Sequence, residues 1–221
     1  MPHPETRHLR PHADVAERVL VPGDPGRALR LAQWLLEGPK MLNHHRGLWG
    51  YTGIAPDGAP LTVQSTGTGG PSAAIVCADL AALGARRFVR VGTCTGFAAG
   101  AGVPIVADPV LARDGTSRAL GAGAELRPDG QLADALAHAA PREARRGPVM
   151  SADVFSVGDA EHALAVDLES AAVLAVAAHH GLAAASYLVV SEGRDDGRLA
   201  GVALELAERE LGRAGLAALS A

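Results

Sequence analysis

The chain has 221 residues, of which 48% are apolar and 20% charged, and its formal net charge is −4. This length fits one large domain, and the acidic balance argues against a broad nucleic-acid surface, which would need an excess of Lys and Arg. No stretch approaches about 18 uninterrupted apolar residues, and the N-terminus has no apolar signal region, so the sequence predicts neither export nor membrane insertion.

Apolar runs alternate with helical patterns along almost the whole chain. The predicted strands are 18–22, 48–55, 60–66, 87–92, 103–111 and 185–191, and the predicted helices are 26–36, 72–83, 131–140, 169–180 and 199–219. The second and third of these strands are predicted to form a hairpin around Pro56–Gly58. The Gly- and Ala-rich stretch 115–130 is predicted to be a surface excursion.

Strands separated by helices of this length indicate βαβ units. The sequence therefore predicts one α/β domain over residues 1–221, with a mixed, mostly parallel central sheet and helices on both faces. In such a sheet, ligands bind at the carboxyl ends of the strands. Three of the predicted strand ends carry unusual residues.

The first of these strand ends reads VPGDPGRA. Gly23 lies between a strand and a helix, the helix N-terminus offers free N–H groups, and Arg27 adds a positive charge. This arrangement favours an anion. An ordinary strand-to-helix turn with a surface arginine explains the stretch about equally well.

The second and third strand ends are TGTGGPS (66–72) and RVGTCTGF (90–97). The former lacks the lysine of a P-loop, and no acidic residue ends the next strand, as a dinucleotide-binding fold would require. Arg90 lies inside an apolar strand, where an unpaired guanidinium would be too costly to bury. Arg90 therefore requires a carboxylate or an oxyanion.

Two later segments supply carboxylates. VDLESAA places Asp167 and Glu169 at the start of an apolar helix, where Glu169 could either complement the helix dipole or accept bonds from vicinal sugar hydroxyls. Ser191 and Glu192 end the last strand, and Glu192 is a candidate acid or base. The alternative for Glu192 is a solvated turn.

Histidines and cysteines indicate no metal site, since their spacing matches no ligand pattern. The two cysteines, Cys77 and Cys94, are too few for a disulfide framework, which predicts a reducing, cytoplasmic setting.

Taken in order, the segments VLVPGDPGRA, NHHRGLWGYTG, TGTGGPSAA, RVGTCTG, SADVF, VDLESAA and VSEG resemble the nucleoside phosphorylase family, which contains the hexameric bacterial purine nucleoside phosphorylases and the uridine phosphorylases. The resemblance covers nearly the whole chain. It implies the nucleoside phosphorylase type of α/β fold, no cofactor, and inorganic phosphate as co-substrate. It also implies a homo-oligomer with shared active sites, expected to be a hexamer made of three dimers.

The resemblance assigns a role to each motif residue. Arg46 would reach in from a neighbouring subunit, as would His8, which would contact the 5′-hydroxyl of the ribose. Arg90 and Glu192 are the expected catalytic residues. The implied sites are Gly23, Arg27, Arg46, Arg90 and Thr93 for phosphate, His8, Leu168 and Glu169 for ribose, and Cys94, Thr95, Phe155, Asp167, Ser191 and Glu192 for the base.

Three departures from the family pattern concern the base. Glu192 stands where purine-specific members have Asp, and its usual arginine partner has no clear match, although Arg194 or Arg198 could replace it. The segment between Phe155 and Asp167 is short, so a helix that closes over the base is expected to be missing. Thr95 stands where glycine is common.

The sequence thus predicts phosphorolysis of a purine nucleoside to free base and ribose 1-phosphate. Purine is favoured over uracil because residues 156–163 lack the Gln-x-Arg pattern of uridine phosphorylases. A uridine phosphorylase and a nucleosidase of the same fold remain alternatives, although Arg27 and Arg90 argue against a reaction with water. A nucleotide-binding oxidoreductase and a non-catalytic nucleoside-binding protein are the alternatives from other functional classes.

Overall fold

A computed structural model describes residues 6–155, 162–193 and 197–221. Its strands are β1 (Arg18–Val21), β2 (Glu37–Asn43), β3 (Gly50–Ile54), β4 (Pro60–Gln64), β5 (Arg87–Gly96), β6 (Pro104–Ala112), β7 (Glu125–Leu126), β8 (Arg145–Ser151), β9 (Ala165–Asp167) and β10 (Ala183–Glu192). Its helices are α1 (Pro25–Leu35), α2 (Gly70–Ala82), α3 (Gly115–Ala119), α4 (Gly130–Ala139), α5 (Ser170–His180) and α6 (Gly201–Ser220), and a 3₁₀ turn covers His45–Gly47.

The ten strands form one mixed sheet. Its centre is parallel, in the order β4, β1, β5, β10, and the hairpin strands β3 and β2 extend one side in antiparallel pairing. On the other side β10 pairs with β6, which continues through β8 to β9. Within the described part of the chain five pairings are parallel (β1–β4, β1–β5, β5–β10, β6–β8, β8–β9) and five antiparallel (β2–β3, β3–β4, β5–β9, β6–β7, β6–β10), so parallel pairs do not predominate.

The strand β5 has two different neighbours on one of its edges. Its first half pairs with β1 as far as Arg90, and its end pairs with β9 from Thr95 onward. On the opposite edge β10 accompanies it throughout. Between Arg90 and Thr95 the neighbours β1 and β9 therefore diverge, and they leave a gap in the sheet at the residues where β5 carries Gly92 and Thr93.

Helices cover both faces of the sheet, as the sequence predicts. Helices α2 and α5 contribute to one buried apolar cluster, and α1, α4 and α6 contribute to the other. The aliphatic core rests on Ala, Val and Leu, with Phe88, Tyr187 and Tyr51 as its aromatic members in the described residues. The helix α6 lies very close to α1, because a Cβ atom at Gly212 would stand 2.3 Å from Leu31 Cδ2.

The predicted elements recur with shifts at their ends, and five elements were not predicted: the strands β2, β7, β8 and β9 and the helix α3. The strands β2, β8 and β9 complete the sheet on both sides of β5. The stretch 115–130 is not a plain surface excursion, because it contains α3 and β7. Within the described residues no helix is both long and apolar enough to cross a membrane.

Candidate active site

A cavity of about 310 Å³ opens at the gap between β1 and β9. All three predicted strand ends contribute to it. Its lining consists of Gly23, Asp24, Pro25, Arg27, Gly67, Thr68, Arg90, Thr93, Phe155, Leu168 and Glu169. Seven of the residues predicted for phosphate, ribose and base are therefore brought together: Gly23, Arg27, Arg90, Thr93, Phe155, Leu168 and Glu169.

The first two strand ends hold each other in place. The N–H groups of Thr66 and Gly67 donate to the carbonyls of Pro22 and Gly23, at 2.8 and 3.0 Å. Gly67 has a φ of +74°, which an L side chain rarely adopts. Asp24 caps α1 by accepting from the N–H of Arg27 at 2.6 Å, which fixes the residue that carries the first guanidinium. The glycine turns thus bring two helix N-termini to one cavity.

Arg90 is the most constrained charge at the site, with only 2% of its surface exposed. Its Nε donates to Asp167 Oδ2 at 2.9 Å, and its Nη2 donates to Glu169 Oε2 at 2.6 Å. Burial alone lowers the pKa of Arg90, but the carboxylates of Glu169 and Asp167 raise it by more, so the guanidinium stays charged. The sequence argument that Arg90 needs carboxylates or an oxyanion is consistent with this geometry.

One nitrogen of Arg90 has no partner within the described part of the chain. Its Nη1 is buried and finds no hydrogen-bond acceptor among the described residues. A Cβ atom added to Gly23 would lie 4.0 Å from that nitrogen, so Nη1 faces the first glycine turn, which lines the cavity. A buried donor without an acceptor is costly, and an anion in the cavity would satisfy it.

Glu169 lies between the second and third strand ends. Its Oε1 accepts from the N–H of Gly69, the N-cap of α2, at 2.6 Å, and its Oε2 accepts from Arg90. Each carboxylate oxygen has two lone pairs, so both can accept one further hydrogen bond from the cavity. Leu168 lies beside Glu169 in the lining and presents an apolar surface.

Asp167 and Cys94, both predicted to bind the base, do not line the cavity. Asp167 is buried behind Arg90, where its carboxylate accepts from Arg90 and from the hydroxyls of Ser151 and Ser170. Its predicted contact with the base is therefore corrected to a contact with Arg90. Cys94 is also buried, and burial together with Asp167 raises the pKa of its thiol.

The remaining predicted base residues lie at the ends of β5 and β10. Thr95 and Glu192 are paired across these strands, and Ser191 donates to the carbonyl of Cys94 at 3.3 Å. Glu192 is exposed, and a backbone bridge joins it to Arg198. The alternative partner Arg194 and the short segment after Phe155, residues 156–161, lie outside the described residues.

His8 and Arg46 do not line the cavity of their own chain. The N–H groups of Arg7, His8 and Leu9 donate to the buried carboxylate of Asp79, which fixes the N-terminal segment. Arg46 is exposed on the 3₁₀ turn, with a φ of 60°. Their predicted role at a neighbouring subunit's site stays a prediction.

Sequence reasoning missed one charged residue next to the cavity. Glu208, in α6, is 2% exposed, and its Oε1 accepts from Arg27 Nε at 2.9 Å. The only signal in the sequence is an acid on the apolar face of α6, three residues before Leu211. Within the segment ELAEREL this acid is hard to distinguish from the solvated acids beside it.

A larger cavity, of about 950 Å³, lies between the residues before β1 and the hairpin strands. It contains neither a glycine-rich strand end nor an arginine as buried as Arg90. Among the described residues no group of three or more His, Cys, Asp or Glu side chains could hold a metal ion. The predicted absence of a cofactor stays a prediction.

Comparison with known proteins agrees with the fold. The model of the phosphorylase superfamily matches residues 17–219. The chain is 33% identical over 199 residues to the DeoD-type purine nucleoside phosphorylase of Oceanobacillus iheyensis, covering 81% of this chain and 83% of that protein. It is 36% identical over 164 residues to the uridine phosphorylase of Treponema pallidum (71% and 62% covered) and 33% identical over 191 residues to the guanosine phosphorylase of Halorubrum lacusprofundi (80% and 78%).

Among solved structures, purine nucleoside phosphorylase from Toxoplasma gondii in complex with immucillin-H has the same fold. The TM-score is 0.85 at 24% sequence identity, and the match covers 97% of this chain and 96% of that chain. The chain belongs to the phosphorylase superfamily. The resemblance to the nucleoside phosphorylases is thereby confirmed, and with it the predicted enzyme class, a pentosyltransferase.

Proposed function

We propose that the enzyme catalyses the phosphorolysis of purine ribonucleosides or deoxyribonucleosides. A phosphate oxygen forms a bond to the anomeric carbon of the sugar while the bond from that carbon to the base nitrogen breaks. The bonding electron pair leaves with the base, which takes up a proton. The products are the free base and (deoxy)ribose 1-phosphate.

The observation that carries this proposal is Nη1 of Arg90, which has no acceptor within residues 6–155, 162–193 and 197–221. It is a buried, charged donor facing Gly23 at the cavity, and Asp167 and Glu169 hold it there. Phosphate can accept from Arg90, from Arg27, from the hydroxyl of Thr93 and from the free N–H groups near Gly23. Each charge-assisted bond contributes roughly 1.5–3 kcal/mol, so the site favours an anion over water as the nucleophile.

The ribose would lie between phosphate and base, above Leu168. Glu169 accepts from its hydroxyls while it also contacts Arg90, so one carboxylate positions sugar and phosphate together. The developing oxocarbenium ion would then form between this carboxylate and the bound phosphate, and both stabilise positive charge. Phe155, Thr95, Ser191 and Glu192 would contact the base, with Glu192 as the proton donor.

The charges of a single chain support a shared site. Arg27 and Arg90 are each paired with buried carboxylates, so the protein has already balanced both guanidinium charges before phosphate arrives. A further cation would help to neutralise a phosphate dianion. Arg46 of a neighbouring subunit could supply it, and His8 of that subunit could reach the 5′-hydroxyl, in a hexamer of three dimers.

A panel of inosine, guanosine, adenosine and uridine, each with and without phosphate, tests the function. We expect release of hypoxanthine or another purine only when phosphate or arsenate is present, with phosphate consumed in equal amount to the base released. Equal release in phosphate-free buffer would contradict phosphorolysis and favour a nucleosidase.

Uridine phosphorylase is the second candidate. It rests on the similarity to the Treponema pallidum protein, which shows 36% identity over 164 residues. Phosphate-dependent release of uracil at a higher kcat/KM than any purine would select it over the purine reaction.

A further inference from the structure

The buried carboxylate of Glu208 connects the C-terminal helix to the cavity. It accepts from Arg27 Nε at 2.9 Å through Oε1, and from Arg30 Nε and Nη2 at 3.0 and 2.5 Å through Oε2. Arg27 and Arg30 lie one turn apart in α1, whereas Glu208 belongs to α6. Arg27 is nearly as buried as Glu208, while Arg30 is about one-third exposed.

A buried ion pair is a poor source of stability, because desolvation of both charges offsets their attraction. An apolar residue at 208 would extend the packing of Leu211, Ala214 and Ala218 in the second core cluster. The carboxylate is therefore better explained by what it does to Arg27 than by what it adds to the fold.

Arg27 and Arg90 are alike in being held through Nε, although Arg90 also bonds to Glu169 through Nη2. In each, the Nε–H bonds to a buried carboxylate at 2.9 Å, from Glu208 for Arg27 and from Asp167 for Arg90. Within the described residues neither terminal nitrogen of Arg27 has a side-chain or backbone acceptor, and Arg27 lines the cavity. Binding through Nε fixes the plane of a guanidinium and leaves its terminal nitrogens to a ligand.

The position of Glu208 is itself narrowly defined. One turn after it, Gly212 lets α6 approach α1 so closely that a Cβ atom would stand 2.3 Å from Leu31 Cδ2 and 3.1 Å from Leu35 Cδ1. The backbones of α1 and α6 therefore set the distance between Arg27 and Glu208. The two side chains are held close together by the packing of the helices.

We propose that Glu208 is a positioning residue of the anion site, which holds the Arg27 guanidinium in the orientation that binds phosphate. This inference rests on the proposed phosphorolysis. Glu208 itself would touch neither phosphate nor nucleoside.

The test compares Glu208→Gln with Glu210→Gln, a matched change in the same helix. The carboxylate of Glu210 pairs with the exposed side chain of Arg213. Gln keeps one acceptor for Arg27 but loses the charge and the oxygen that accepts both hydrogen bonds from Arg30. We expect KM for phosphate to rise about tenfold with kcat within about threefold, since Arg27 contributes ground-state binding. KM for the nucleoside and all constants of Glu210→Gln should stay near wild type.

A double-mutant cycle separates positioning from a general structural role. If Glu208 acts through Arg27, Glu208→Gln in an Arg27→Ala background should raise KM for phosphate no further. Arg30→Gln provides a second, milder variant, because it removes the exposed partner of Glu208. We expect it to raise KM for phosphate about two- to threefold, and this rise should also disappear in the Arg27→Ala background.

An unchanged or lowered KM for phosphate in Glu208→Gln would overturn the proposal, as would an equal rise in the Arg27→Ala background. If Glu208→Gln does not fold, the cycle with Arg30→Gln decides by the same criteria. Failure of phosphorolysis itself would be visible separately, as wild-type base release that needs no phosphate.

Discussion

The two ends of the proposed site are built differently. At its anion end, Arg27 and Arg90 are buried and each bonds to a carboxylate from another part of the chain. At its base end, Phe155 lines the cavity and is 55% exposed, and Glu192, which ends β10 outside the cavity lining, is exposed as well. Under the proposed function, one chain therefore selects the nucleophile through buried, paired charges, whereas the selection of the base depends on exposed groups.

Removal of Arg90 should have the largest effect. Arg90→Met leaves Asp167 and Glu169 as buried charges without their cation, and truncation of such a pair costs roughly 2–5 kcal/mol. We expect kcat/KM for phosphate to fall by about 10³-fold, measured as base release at varied phosphate.

Two further variants sharpen this result. Arg87→Met is the matched control on the same strand, because Arg87 donates to the carbonyls of Leu219 and Ala218 and does not line the cavity. Arg90→Lys keeps the charge but loses the planar fork, so it should recover only part of the activity. Full phosphate-dependent turnover in folded Arg90→Met would contradict the assignment of the anion end.

Glu192 tests the base end. If it donates the proton to the leaving purine, Glu192→Gln should lower kcat for inosine by about 10²-fold, at the lower end of general acid catalysis. The loss should be under about threefold for 7-methylguanosine, whose leaving group already carries positive charge. Equal losses for the two substrates would remove Glu192 from the proton-donor role.

Arg46 tests whether the anion end is complete within one chain. We expect Arg46→Ala to lower kcat/KM for phosphate about tenfold, since one charge-assisted contact is lost. When Arg46→Ala chains are mixed with Arg90→Met chains, about a quarter of all sites should contain both arginines. Half of the dimers are then hybrid, and each hybrid has one complete site. A mixture that shows no gain, although subunit exchange is demonstrated, would exclude the shared site.

The smallest effect concerns Cys94, which lies in β5 between the two ends. Burial raises the pKa of this thiol above its ordinary value, and burial likewise raises the pKa of Cys77 to about 12. An increase of pH from 7 to about 9, which would ionise an ordinary thiol, should therefore not accelerate alkylation of the native protein by iodoacetamide. Rapid labelling of Cys94, read by mass spectrometry, would show that the reagent can reach this buried thiol beyond the cavity lining.

Much of the fold could be predicted because its central elements have strong patterns. The strands at 18–22 and 87–92 and the helix at 169–180 are long apolar runs between glycine or proline turns, and the structure places them with small shifts. The strand β8 reads RRGPVMS, with two charges, a glycine and a proline. Its strand conformation comes from pairing with β6 and β9, which no local pattern encodes.

The residues of the candidate site also differ in whether a local pattern in the sequence indicates them. The meeting of Gly23, Arg27 and Arg90 at one edge could be predicted because their segments end predicted strands, and Glu169 could be noticed because it begins an apolar helix. The positions of Asp167 and Glu208 could not be predicted, because a carboxylate looks the same in sequence whether it faces a substrate, a solvent or an arginine. Only tertiary packing shows that both carboxylates hold a guanidinium.

The gap beside β5 also has a consequence for the amide hydrogens of this strand. Up to Arg90 and again from Thr95 the strand pairs on both edges, whereas residues 91–94 pair with β10 on one edge only, and Thr93 among them lines the cavity. Thr93 is half-buried, so solvent can reach it from the cavity without separation of the sheet. Hydrogen exchange with and without phosphate would then report occupancy of the site, because protection should increase at Thr93 and stay constant in the flanking parts of β5.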